Sequence, residues 1–78
     1  MRRDELYLAD ILEACDDVAE FIQGQNQASF VGNKLVRSAV LQRLTVIGEA
    51  AARISSELKS SHDEVEWVPI ATFRNRLV

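Results

Sequence analysis

The sequence predicts an all-α protein, an antiparallel up-down helical bundle, and three observations predict it. Two long stretches carry apolar residues at three- and four-residue spacing, the period of a helix with one packed face. A short run of glycine, amide and small side chains separates them, as a helix–helix connection requires. A third apolar-periodic segment then opens at Trp67 behind a polar connection. With 78 residues the chain is read as a single domain, 1–78. One core of that size is marginal, so further stabilisation from a partner surface is expected.

The first helix is bounded by Asp4 as N-cap and by Gly24 as its stop, leaving about five turns between them. At about 100° per residue, Tyr7, Leu8, Ile11, Cys15, Val18 and Ile22 share one face. Asp10, Glu13, Asp16, Asp17 and Glu20 share the opposite face, so one side is expected to pack and the other to stay wet. Residues 24–33, GQNQASFVGN, read as a loop with one helical turn around Phe30, whose ring plugs the end of the core.

The second helix is predicted from residue 34 to about residue 58. Val36, Val40, Leu44, Ile47, Ala51, Ile54 and Leu58 form one stripe along it. Leu35, Ala39, Val46 and Ala50 form a second stripe, displaced by roughly 100°. Two stripes imply two packing partners: the antiparallel first helix, and either a later helix or a second protomer. Gly48 within this run costs up to about 1 kcal/mol against Ala, which a close helix crossing would offset.

Residues 59–66, KSSHDEVE, form a polar connection, and Trp67 starts a third helix with Pro69 tolerated in its first turn. That helix is still running at Val78. The expectation is therefore a bundle truncated within its third main helix, a domain incomplete at its C-terminus.

Composition excludes several classes. At 47% hydrophobic, with three Gly and one Pro, the chain lies far from disordered sequences. It has no run of about 18 apolar residues, and the start MRRDELYLAD is no secretory signal, so a cytoplasmic protein with no membrane contact is expected. A single cysteine, Cys15, builds neither a disulfide framework nor a zinc site, and its place on the apolar face reads as a small buried hydrophobe. The net charge of −3 is unevenly spread. Residues 1–30 hold seven acidic and two basic side chains, while residues 31–60 hold five basic and two acidic. That balance argues against a generic nucleic-acid coat and leaves room for a local basic surface.

The chemistry concentrates near the end. Trp67, Ile70, Arg74, Leu77 and Val78 fall on one side of the third helix, so Arg74 sits between apolar neighbours. A guanidinium there is costly unless it is paired or aimed at an anion. Pattern alone leaves open an Arg that snorkels, one that pairs with a carboxylate such as Glu49, and one aimed at an anion. His62 lies in a polar connection and reads as a surface histidine. No phosphate-binding glycine loop, paired metal ligands or nucleophile motif is present, and neither cofactor nor metal is expected.

YLADILEA near the start, IGEAAARIS in the middle and W-x-x-I-x-x-FRNRLV at the end together resemble the HepT-like group of HEPN domains, over essentially the whole chain. The resemblance implies a ribonuclease toxin of a HepT–MntA-type toxin–antitoxin pair. It implies Arg74 and Asn75 as the first half of an Arg–His motif, with Glu49 of IGEA as a weaker candidate that lines or orients the site. In HepT-like members four residues separate the Arg from the His; Asn75, Arg76, Leu77 and Val78 are those four, and neither the His nor the Tyr that follows it is in the chain. Implied partners are a second copy of the chain (a homodimer or higher oligomer), RNA, and an MntA-like nucleotidyltransferase antitoxin. The alternative expectation is a non-catalytic helical module that dimerises or binds the antitoxin.

Overall fold

The computed structural model describes residues 2–72, and every regular element among them is an α-helix. These are α1 (Arg2–Phe21), α2 (Gln27–Gly32), α3 (Lys34–Arg53), α4 (Ser56–Ser61) and α5 (Trp67–Thr72). α1 packs along α3, and α2 and α5 each pack on α3. Two cross-links give the direction. Asp4, near the start of α1, bonds Ser55 just past the end of α3, whereas Asp17, late in α1, bonds Arg43 midway along α3. The two long helices are therefore antiparallel, as the alternation of periodic segments and a short connection predicts.

Local chemistry sets the connection. α1 carries Asp4 and Glu5 in its first turn, where carboxylates meet the positive end of the helix dipole. It ends at Phe21, and the chain turns through Gly24 at φ 77°, a left-handed conformation that favours glycine. α2 opens on a capping box: Asn26 Oδ1 accepts from the Ser29 N–H at 2.8 Å, and the Asn26 N–H donates to Ser29 Oγ at 2.9 Å. Asn33 then ends α2 and begins α3, its side chain accepting from the Val36 N–H at 3.1 Å.

The seam between α1 and α3 is built from small residues. Ala14 and Ala51 are fully buried, with Ala50, Val40, Ile54 and Gly48 close behind. Such side chains let two helix backbones approach, which is the role the sequence implies for Gly48. Among the described residues no large side chain is fully buried. Among these residues the core is thin for the length of the helices.

Three expectations need correction. Asp4 is not the cap of the first helix; it lies inside α1, 4% exposed, and serves another element. The predicted helix over 34–58 is two helices, α3 and α4, because Ile54 and Ser55 adopt extended backbone and Ser55 caps a new start. Cys15 is exposed, not buried. On α1, Asp4 and Ala14 are buried and Tyr7, Leu8, Ile11, Asp17 and Val18 are half-buried, so Cys15 falls to one side of the buried positions.

Candidate functional site

The segment that leads into FRNRLV is placed by a chain of local contacts. Ser55 caps α4 by accepting the Leu58 N–H at 3.2 Å, and α4 closes at His62, whose N–H donates to the carbonyls of Leu58 and Lys59. Lys59 Nζ reaches back to the Ala52 carbonyl at 3.3 Å, a cation at the C-terminal end of α3. The indole N–H of Trp67 donates to the His62 carbonyl at 3.0 Å and closes the turn before α5. Pro69 occupies the first turn of α5, where its missing N–H loses no helical bond.

α5 meets the rest of the bundle over an apolar groove of about 530 Å³. Leu8, Ile11 and Cys15 of α1, Leu44 and Ile47 of α3, and Trp67 with Ile70 of α5 line it. Cys15 and Leu8 thus belong to this groove wall, which explains why the apolar face read from the sequence is broader than the buried seam. Trp67 and Ile70 lie on the groove side of α5, as the predicted apolar side of the third helix requires.

Arg74 and Asn75 lie outside the described residues, as do Leu77 and Val78. Glu49 is on α3 and exposed, between the buried Gly48 and Ala50. His62 is exposed in the turn after α4, with Nδ1 at 3.4 Å from Glu64 Oε1. No group of three or more His, Cys, Asp or Glu among the described residues is placed to hold a metal ion. No helix among them is long and apolar enough to cross a membrane.

Among the described residues, two side-chain contacts between elements far apart in sequence escaped the sequence reading. Arg43 Nη1 lies 3.2 Å from Asp17 Oδ2, while its Nε donates to Gln42 Oε1 at 2.6 Å. One acidic position of α1 therefore meets the basic second half of the chain. The other contact joins Asp4 to Ser55, whose hydroxyl donates to Asp4 Oδ2 at 2.6 Å and whose N–H donates to Oδ1 at 2.8 Å. The hydroxyl bond first, and the N–H bond second, hold the Asp4 carboxyl below the ordinary carboxylate range against the opposing effect of burial. Ser55 followed by Ser56 and Glu57 is a helix-start signature, and it was the available clue to the break.

A model of the family described as "Ribonuclease HepT-like" matches residues 11–78. "Putative RNase MJ1380" of Methanocaldococcus jannaschii is 36% identical over 78 residues, covering 99% of this chain and 72% of that protein. "Putative RNase MJ1216" of the same organism is 32% identical, covering 99% of this chain and 64% of its own length. "Probable ribonuclease HepT" of Thermococcus cleftensis is 35% identical over 72 residues, covering 92% of this chain and 66% of its own. The chain thus spans about two thirds of the length of these relatives. No solved structure matches it.

Proposed function

Because the chain belongs to the HepT-like ribonuclease family, we propose that it represents the toxin of a toxin–antitoxin pair, an endoribonuclease of the HEPN type that needs no metal ion. The observation that carries this reading is the family match running through residue 78, with Arg74 and Asn75 inside it. In the proposed reaction the ribose 2′-hydroxyl attacks the adjacent phosphate, its proton leaves to a base, and the 5′-oxygen departs as it is protonated. Arg74 stabilises the charge on the phosphorane, because a guanidinium stays protonated and its planar fork fits phosphate oxygens. Asn75 supplies a neighbouring polar contact, and Glu49 of α3 orients the Arg or lines the cleft.

Proton transfer in this scheme belongs to a His five positions after the Arg. Side chains that far apart on one helix point about 140° from each other, so two protomers are needed to bring Arg and His to one phosphate. A homodimer is part of the proposal for that reason, as is a nucleotidyltransferase antitoxin of the MntA type, with the cytoplasm as the place of action. The 78-residue sequence contains one His, His62, and none after Arg74. A 78-residue polypeptide without that acid or base should cleave RNA about 10² to 10⁴ more slowly than one that carries it.

The test uses RNA cleavage and thermal melting on a form extended by a His after Val78. Arg74→Ala should reduce cleavage strongly at unchanged melting temperature. Arg74→Lys should fold and stay impaired, since Lys keeps the charge and loses the fork. Loss of stability in step with loss of activity would show that Arg74 is a structural ion-pair partner.

A second reading, a non-catalytic dimerisation or antitoxin-binding module, is favoured by a specific feature. Leu12, Leu35 and Val68 are 67%, 83% and 72% exposed. Apolar side chains this open are the material of a protein interface when they form a continuous patch.

A further inference from the structure

We infer that the Asp4–Ser55 contact is a tether that decides where α3 ends, so that the break between α3 and α4, and the return of α5 to the bundle, depend on a residue fifty-one positions before Ser55. The inference is independent of the ribonuclease reading.

Ser55, Ser56 and Glu57 can start a helix, but the local sequence does not by itself demand a break. EAAAR before it is a run of good helix formers, the apolar stripe continues through Ile54 to Leu58, and no Gly or Pro lies between Gly48 and Pro69. In a continuous helix the Ser55 N–H would donate to the Ala51 carbonyl, four residues back. Here that carbonyl receives the Ile54 N–H at 3.4 Å, and the Ser55 N–H turns to Asp4 Oδ1 at 2.8 Å. Ile54 and Ser55 have ψ of 141° and 152°.

The Ser55 hydroxyl does two things at once. It accepts the Leu58 N–H, starting α4, and it donates to Asp4 Oδ2 at 2.6 Å. Both carboxylate oxygens of Asp4 are thus used by one residue, at a site 4% exposed. A carboxylate that poorly hydrated needs those donors, and a continuous helix would withdraw the N–H from it. The buried carboxylate therefore favours the broken helix over the unbroken one.

The consequence reaches α5. Continuing α3 through Leu58 would extend it by five residues, about 7.5 Å, and carry the following turn past the end of α1. Trp67 and Ile70 would then leave the groove they share with Leu44 and Ile47.

The experiment is NMR and fluorescence on the full 78-residue chain, where Trp67 is the only tryptophan. In the unsubstituted chain, Ile54 and Ser55 should give extended Cα shifts, and the Ser55 amide should exchange within about tenfold of the Ala51 amide, since both then open with the same packed seam. In Asp4→Ala the two Cα shifts should become helical and Trp67 emission should move to the red without loss of helical circular dichroism. Ser55→Asp keeps a good cap but sets a like charge against Asp4, and should behave as Asp4→Ala does. Ser55→Thr keeps cap and hydroxyl and should retain the break. A folded Asp4→Ala or Ser55→Asp with unmoved extended shifts would mean that the cap alone makes the break, and would overturn the tether. Should those variants unfold, an unprotected Ser55 amide in the unsubstituted chain overturns it equally, and a protected one with extended shifts upholds it.

Discussion

A carboxylate that takes two hydrogen bonds from one serine ties the fold to pH. The Asp4 carboxyl is held below its ordinary value mainly by the Ser55 hydroxyl. A depressed folded-state pKa contributes stability that is complete above the unfolded value of about 3.9 and is lost as pH falls through the folded one. The melting temperature should therefore drop more between pH 5 and pH 3 in the unsubstituted chain than in Asp4→Asn; equal drops would mean Asp4 adds nothing to acid sensitivity. Arg43–Asp17 is a different kind of contact. Its side chains are 25% and 31% exposed, so solvent screens much of the attraction. A double-mutant cycle with Arg43→Ala and Asp17→Ala should return a coupling of about 0.5–1 kcal/mol, falling with added salt.

Among the elements, the ends carry the specificity. Gly24 and Gly32 make a paired test, because open space surrounds the Cβ that alanine would add at either site. Gly24 has φ 77°, so Gly24→Ala forces a side chain into the left-handed region and should destabilise by about 1 kcal/mol. Gly32 closes α2 without a positive φ, so Gly32→Ala should stabilise by about 0.5 kcal/mol through lower entropy of the unfolded chain. Urea titration of both variants checks the opposite signs. Asn33 serves two helices at once, ending α2 and capping α3. Asn33→Ala should cost about 1 kcal/mol by the same measurement.

At the scale of the molecule, a thin core and an open surface go together. Among the described residues the fully buried ones are small, while Leu6, Leu12, Val31, Leu35 and Val68 are exposed. Burial within one copy stabilises little, and a second copy covering such residues would add what the interior lacks. Light scattering should give a dimer or larger species whose melting temperature rises with concentration. Leu35→Glu should shift the population toward monomer while changing the monomer's own stability by less than about 0.5 kcal/mol, as expected of a surface substitution. A stable monomer at high concentration in the unsubstituted chain would exclude the interface.

Helix periodicity, turn chemistry and the three family segments were legible in the sequence because each depends on residues close together in the chain. The spacing of Val36, Val40 and Leu44 specifies a helix face wherever that helix lies, and Gly24 or Asn33 acts on its own backbone. The three segments carried the family and, with it, Arg74, Asn75 and Glu49 as the site to test. Other features were settled only in three dimensions. Asp4 reads as a cap by its position, yet its carboxylate serves a serine fifty-one residues away. Residues 34–58 read as one helix because propensity favours continuing, and the break becomes favourable only when the buried carboxylate collects the Ser55 donors. Cys15 lies on the apolar face of α1, but the seam is narrower than that face, since burial depends on which side the neighbouring helix takes. A sequence specifies what a segment prefers; which long-range partner overrides that preference depends on how the helices meet.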